Sequence, residues 1–157
     1  MREMAAGREI ERKFLVSELP PELGAGTPIS QGYLPLASDA TELRVRRKGD
    51  ATMLTVKSGS GLDRGEREVA IPADVFEALW PLTEGRRIEK ERVELPHGGL
   101  TIELDRFGGA LDGLLVAEVE FDSTESSERF EAPAWFGREV TGDPAYSNRS
   151  LAERGRP

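Results

Sequence analysis

The chain has no cysteine, which excludes disulfides, thiol nucleophiles and thiolate-bound zinc. It has one histidine, His97, in the turn-like stretch "PHGG", where a solvent-exposed turn residue is expected rather than a general base. Aromatic residues make up only 6% of the chain, and Trp80 and Trp135 lie where packing is expected rather than base stacking. No hydrophobic run is long enough to span a bilayer, and the start "MREMAAGREI" lacks the apolar stretch of a signal peptide. A cytoplasmic protein is therefore expected. Nor is positive charge in excess: a formal net charge of −8 argues against nonspecific binding to nucleic acid or to an anionic membrane. Basic groups that bind a polyanion would have to be gathered in one place, with cations helping. The Gly-rich "SGSG" lacks the Gly-Lys-Ser/Thr ending and the following helix of a P-loop, and is expected to be a hairpin loop.

What is present is an alternation of short apolar runs and turn signals over 157 residues, which predicts a single domain spanning residues 1–157. Strands are predicted at "EIERKFLV", "ISQGYLPL", "TELRVRRK", "TMLTVKS", "EREVAI", "RRIEKERVEL", "LTIELDRF" and "LLVAEVEFD". The turns "KGDA" and "PHGG" predict two hairpins. In "ADVFEALWPL" the period becomes helical, with Asp74 and Glu77 as a capping box. "STESSERFEAP" predicts a short helix capped by Ser123 or Thr124. "DPAYSNRSLAERG" predicts another, with Asp143 as N-cap and Pro144 in its first turn. About eight strands and two or three helices, mostly in hairpin order, predict an antiparallel barrel or sandwich with helices packed outside.

Charge has a period of its own. In a strand, successive side chains point to opposite faces. Glu9, Glu11 and Lys13 then share a face, as do Arg44 with Arg46, Glu66 with Glu68, Lys90 with Arg92, Glu103 with Asp105, and Glu118 with Glu120. Lys57 lies opposite Leu54 and Val56. Any one such strand is ordinarily polar outward and apolar inward. Repetition weakens that reading, because these faces are dominated by ions rather than by Ser, Thr, Asn and Gln. If the apolar faces look outward to helices, the charged faces look inward across a barrel. A buried interior of this kind must mix signs or bind ions, and here acidic and basic strands are interspersed. Paired carboxylates without His or Cys are hard oxygen ligands suited to Mg²⁺ or Mn²⁺, while Arg and Lys suit phosphate oxygens.

These residues resemble a known family. "EIERKFLV" is similar to the Glu-x-Glu-x-Lys signature of the CYTH superfamily, the triphosphate tunnel metalloenzymes. The likeness runs on in order through "QGYL", "ELRVR", "LTVKS", "EREVAI", "LWPLTEGRRIEKER", "ELDRF", "LVAEVEF", "WFGREVT" and "YSNRSLA", and looks like the short, single-domain bacterial branch. The resemblance implies an eight-stranded antiparallel tunnel, mostly β, with helices packed outside and a C-terminal helix. It implies that Lys13, Arg44, Arg46, Lys57, Lys90 and Arg92 grip phosphates. Glu9, Glu11, Asp105, Glu118 and Glu120 would bind metal, with Glu66, Glu68 and Glu103 nearby. Lys13, Glu118 and Glu120 are the expected catalytic residues, and Tyr33 could point into the lumen. The chain departs from the family at Ser147, where a basic residue is common between the residues matching Tyr146 and Asn148. The implied reaction is metal-dependent hydrolysis of inorganic triphosphate. Alternatives on the same fold are a class IV adenylyl cyclase or a thiamine triphosphatase, both of which need a pocket for an aromatic head group. A noncatalytic polyphosphate-binding module is the alternative from another class. The substrate partner is thus a triphosphate-containing small molecule; the oligomeric state is open.

Overall fold

The structure is a computed structural model that describes residues 10–21, 23–35, 42–58 and 65–157. Glu9, the "ASDA" turn and most of "GSGLDRG" lie outside the described residues.

Among the described residues the β-branched and charge-alternating runs form one antiparallel sheet of nine strands. They are β1 (Ile10–Val16), β2 (Thr27–Tyr33), β3 (Glu42–Lys48), β4 (Ala51–Ser58), β5 (Gly65–Ala70), β6 (Arg87–His97), β7 (Leu100–Phe107), β8 (Leu115–Phe121) and β9 (Phe136–Glu139). Their order in the sheet is β5-β4-β3-β2-β6-β7-β8-β1-β9. Among the described residues the sheet curls strongly without closing its hydrogen-bond ladder, β5 and β9 standing at its two ends. At the β6–β7 turn Gly98 and Gly99 have φ of 55° and 80°. Two consecutive positive φ values are what a two-residue hairpin turn matched to strand twist requires, and glycine supplies them without a Cβ penalty.

Parity divides the side chains between the two faces. On the outer face Phe14, Ile102, Leu104, Ala117, Val119, Phe121 and Phe136 form one core. It is covered by α2 (Thr124–Arg129) and the chain beyond it, with Phe130 and Trp135 packed against it. Farther round, α1 (Ala73–Leu79) and a 3-10 turn (Trp80–Thr83) cover β3, β4 and β2. Arginines on the outer face finish this cover: the Arg47 guanidinium lies 4.6 Å from the Phe76 ring centroid and that of Arg87 4.4 Å from Trp80. Both tryptophans therefore pack, and His97 is exposed in its strand-end position.

The second core lies on the concave face. Leu15, Ile88, Phe107 and Val116 share parity with Lys13, Lys90, Asp105 and Glu118, and pack under Val140, Tyr146 and Leu151 from the chain end. So α3 (Asn148–Arg154) packs within the curl, unlike α1 and α2, because four apolar side chains occupy one end of the charged face.

Three local expectations change. No capping box forms at Asp74 and Glu77: Pro72 is the N-cap, and Asp74 Oδ1 accepts from the Val75 N–H instead. The helix expected from Asp143 splits. Asp143 caps a 3-10 turn over Pro144–Tyr146, and Ser147 restarts the chain as N-cap of α3, its Oγ accepting from the Ser150 N–H at 3.1 Å. A ninth strand, β9, is added at "FGRE". It is only four residues long, too short for an alternation pattern to be visible, and is held by pairing with β1.

Candidate active site

The concave face carries a belt of ions beside the apolar end. On β1 and β8, Lys13 pairs with Glu118 in register, and their charges approach to 3.4 Å. Glu11 sits opposite Glu120, both exposed toward the other end of the curl. Glu103 of β7 is the register partner of Glu118 on the other side. Burial, with the charges of Glu118, Asp105 and Glu120, raises the Glu103 carboxyl above its ordinary value, although Arg92 opposes the shift. These carboxylates crowd one another.

Across β6 the sign reverses. Asp105, 2% exposed, accepts from Arg92 Nε at 2.8 Å and from Arg92 Nη2 at 3.0 Å, and Lys90 Nζ lies 2.7 Å from its Oδ2. Burial alone would raise the Asp105 carboxyl, but the charges of Lys90 and Arg92 win and its pKa is lowered. Burial also lowers the pKa of Lys90, with Asp105 resisting. For Arg92, burial is outweighed by the hydrogen bond and charge of Asp105, and the pKa is raised. The carboxylate is saturated by two cations.

Next come Arg46 and Arg44 on β3, the neighbour of β2. Arg46 Nε donates to Gln31 Oε1 at 2.7 Å, and Gln31 Nε2 donates to the Tyr33 hydroxyl at 2.7 Å. Gln31 is fully buried and Tyr33 nearly so, so Tyr33 faces the lumen as part of a clamp on Arg46. Burial raises the Tyr33 phenol, which stays neutral and able to donate. Arg44 is 8% exposed, and its Nη2 reaches Thr55 at 3.5 Å. Its Nε is buried without a partner. Burial, then the charges of Arg44 and Arg92, pull Arg46 down to about 10. A buried guanidinium beside two others is costly unless an anion joins them. On β4 and β5, Lys57 lies 3.7 Å from Glu42 and 4.0 Å from Glu66. Glu68 acts on Arg46 through its charge.

The face thus gathers Glu11, Lys13, Tyr33, Arg44, Arg46, Lys57, Lys90, Arg92, Glu103, Asp105, Glu118 and Glu120, with Glu66 and Glu68 at the β5 edge. Glu9 lies outside the described residues. Sequence reasoning passed over Glu42, Gln31 and Thr55. Gln31 could have been found, since it alternates with Tyr33 and sits opposite Arg46 in register.

A CYTH domain family model matches residues 7–155. The chain belongs to the CYTH family. A protein of Nitrosomonas europaea described as an inorganic triphosphatase is 49% identical over 146 residues, covering 92% of this chain and 96% of that protein. A second inorganic triphosphatase, from Acetivibrio thermocellus, is 41% identical over 150 residues, covering 94% of each. A crystal structure of an inorganic triphosphatase superposes with a TM-score of 0.78 at 44% identity, covering 99% of this chain and 100% of that one. The fold is therefore shared with that solved structure over its full length.

The CYTH belt can be tested for fit to a divalent cation. Among the described residues no three acidic side chains are gathered around one metal-sized space. Mg²⁺ does not need three, since it is commonly held by one or two carboxylates with substrate phosphates and water. Glu11, Glu120 and Glu118 are oxygen donors on one face, and the neighbouring Glu103, paired with Arg92 at 2.9 Å, is raised by burial and by like charge. The donor set fits a hard dication.

Proposed function

We propose that the protein hydrolyses inorganic triphosphate to pyrophosphate and phosphate, with a divalent cation, in the cytoplasm. The observation that carries this reading is the cluster of Arg44, Arg46 and Arg92 on a half-buried face, with one guanidinium nitrogen unpartnered. The names of the relatives agree with it.

Lys13, Arg44, Arg46, Lys57, Lys90 and Arg92 hold the phosphate chain and neutralise its charge. Phosphoryl transfer needs little covalent help from protein; positioning and electrostatics dominate. Asp105 keeps Lys90 and Arg92 charged and aimed, a role its three contacts favour over metal ligation. Glu11, Glu118 and Glu120 would hold Mg²⁺ or Mn²⁺, which supplies Lewis-acid polarisation of phosphoryl oxygens when bound. Glu118, fixed by Lys13, and Glu120 orient a water. Its oxygen bonds to the terminal phosphorus, the bridging P–O bond breaks, pyrophosphate leaves, and the water's proton passes to solvent.

The test is phosphate release from tripolyphosphate, ATP, thiamine triphosphate and long-chain polyphosphate, with Mg²⁺ or Mn²⁺ and with chelator. Tripolyphosphate should turn over only with metal. Full turnover in chelator would overturn the metal-dependent reading. Binding of tripolyphosphate without any turnover would leave the polyphosphate-binding module.

A further inference from the structure

We propose that the C-terminal segment 140–154 is the specificity wall of the tunnel. It closes the lumen beside the basic belt, so that a free inorganic triphosphate fits and one carrying a nucleoside or thiamine head does not. This rests on the triphosphatase reading above and adds what sets its substrate class.

The register places the wall. Leu15 lies two residues beyond Lys13 on the same face, Val116 two from Glu118, Phe107 two from Asp105, and Ile88 two from Lys90. These four ionic positions thus each have an apolar neighbour on the same side. Ile88, Phe107 and Val116 are 0%, 5% and 3% exposed, in one cluster with Val140, Tyr146 and Leu151 of this segment and with Leu111 and Leu114. The segment also reaches the belt: Lys13 Nζ donates to the Tyr146 carbonyl at 3.1 Å. A phosphate bound by Lys13 therefore has the wall directly behind it.

The wall is tied down rather than loosely laid. The Val140 N–H donates to the Lys13 carbonyl at 2.8 Å, and Thr141 Oγ1 accepts from the Lys13 N–H at 2.9 Å. Asp143 and Ser147 cap the two turns that follow.

The other end gives a head group no better berth. Glu11 and Glu120 are exposed there, and they suit cations and water rather than a purine ring. Stacking an aromatic head needs an accessible ring. The lumen-side rings, Tyr33, Phe107 and Tyr146, are all buried, Tyr33 in its hydrogen bond with Gln31 and the other two in the wall.

The experiment compares kcat/KM for tripolyphosphate, ATP and thiamine triphosphate in the wild type, Leu151→Ala and Leu151→Val, with thermal melts for each. Leu151 touches no phosphate-binding residue through a polar group, so tripolyphosphate turnover should stay near wild type. The wild type should strongly prefer tripolyphosphate. Leu151→Ala should raise the ATP-to-tripolyphosphate ratio about tenfold or more, and Leu151→Val by less. Should Leu151→Ala fail to fold, the milder Leu151→Val carries the comparison alone. A folded variant with an unchanged ratio overturns the wall, as does a wild type that uses ATP as well as tripolyphosphate. A wild type that hydrolyses none of the three defeats the triphosphatase reading instead.

Discussion

Two kinds of charge on the concave face do different work, and single substitutions separate them. Arg46 is a planar donor clamped by Gln31, and on the reading proposed above it holds phosphate in ground and transition states alike. Arg46→Ala should raise KM for tripolyphosphate and lower kcat together. Glu120→Gln keeps size and removes a charge proposed to face the metal, so its lost activity should be partly restored by raising Mg²⁺ or Mn²⁺. Steady-state hydrolysis over a metal titration reads both, and a folded pair of variants with wild-type kinetics would place these residues outside the site. Asp105 is a different case. Its carboxylate is the counter-ion of Lys90, whose side chain is fully buried. Asp105→Asn leaves that ammonium uncompensated and should cost on the order of 3–5 kcal/mol in denaturant unfolding. The double variant Asp105→Leu/Lys90→Met should recover much of that loss. A single variant as stable as the wild type would show that the charge is compensated from elsewhere.

At the scale of elements, strands were legible and their covers less so. Two-residue spacing of charge in "ELRVRRK" and "LTIELDRF" shows up in any window, and it determined both faces of β3 and β7. The short β9 carries no such pattern and exists through tertiary contacts. Arg12 Nη2 reaches Glu139 Oε1 at 2.7 Å, Arg12 Nε donates to Glu139 Oε2 at 2.9 Å, and Thr141 adds a hydrogen bond to the same carboxylate. Nor could sequence tell that α3 packs within the curl, since Leu151 and Tyr146 show only that some apolar face exists. The site was legible as residue types, while the pairing of Asp105 with two cations needed register. The Arg12–Glu139 pair makes an acid-stability prediction. Its hydrogen bond with Arg12 depresses the Glu139 carboxyl below its ordinary value. A depressed carboxylate contributes stability above its unfolded-state pKa and loses it as pH falls through the lower folded-state value. Glu139→Gln should therefore lower stability by roughly 0.5–1 kcal/mol near neutrality. The gap to wild type should close below the usual carboxylate range. Melts from pH 7 to strongly acidic conditions measure it, and a gap independent of pH would show that the pair acts through shape and not charge.

For the whole molecule, the distribution of charge matters more than its sum. The net charge is −8, yet Arg44, Arg46 and Arg92 repel one another on the concave face, and burial together with that repulsion depresses Arg46. A polyanion that binds only the folded chain relieves that repulsion and stabilises the fold by mass action. Tripolyphosphate at about a hundred times its Kd should add about 2.7 kcal/mol. For a domain of this size that corresponds to a rise in Tm of about 5–10 °C. The rise should occur even in chelator, because the cations on the belt belong to the protein, and added Mg²⁺ should enlarge it. It should shrink as sodium chloride screens the partly exposed charges, though less than for a surface site, because Lys90 and Arg92 are largely out of solvent. In Arg46→Ala the shift should fall while the unliganded Tm holds or rises, since one of the three repelling charges is gone. Scanning calorimetry across tripolyphosphate and salt concentrations checks all four trends. If tripolyphosphate leaves Tm unmoved with and without metal, the belt is not a phosphate site: its arginines then have some other anion to answer for their burial.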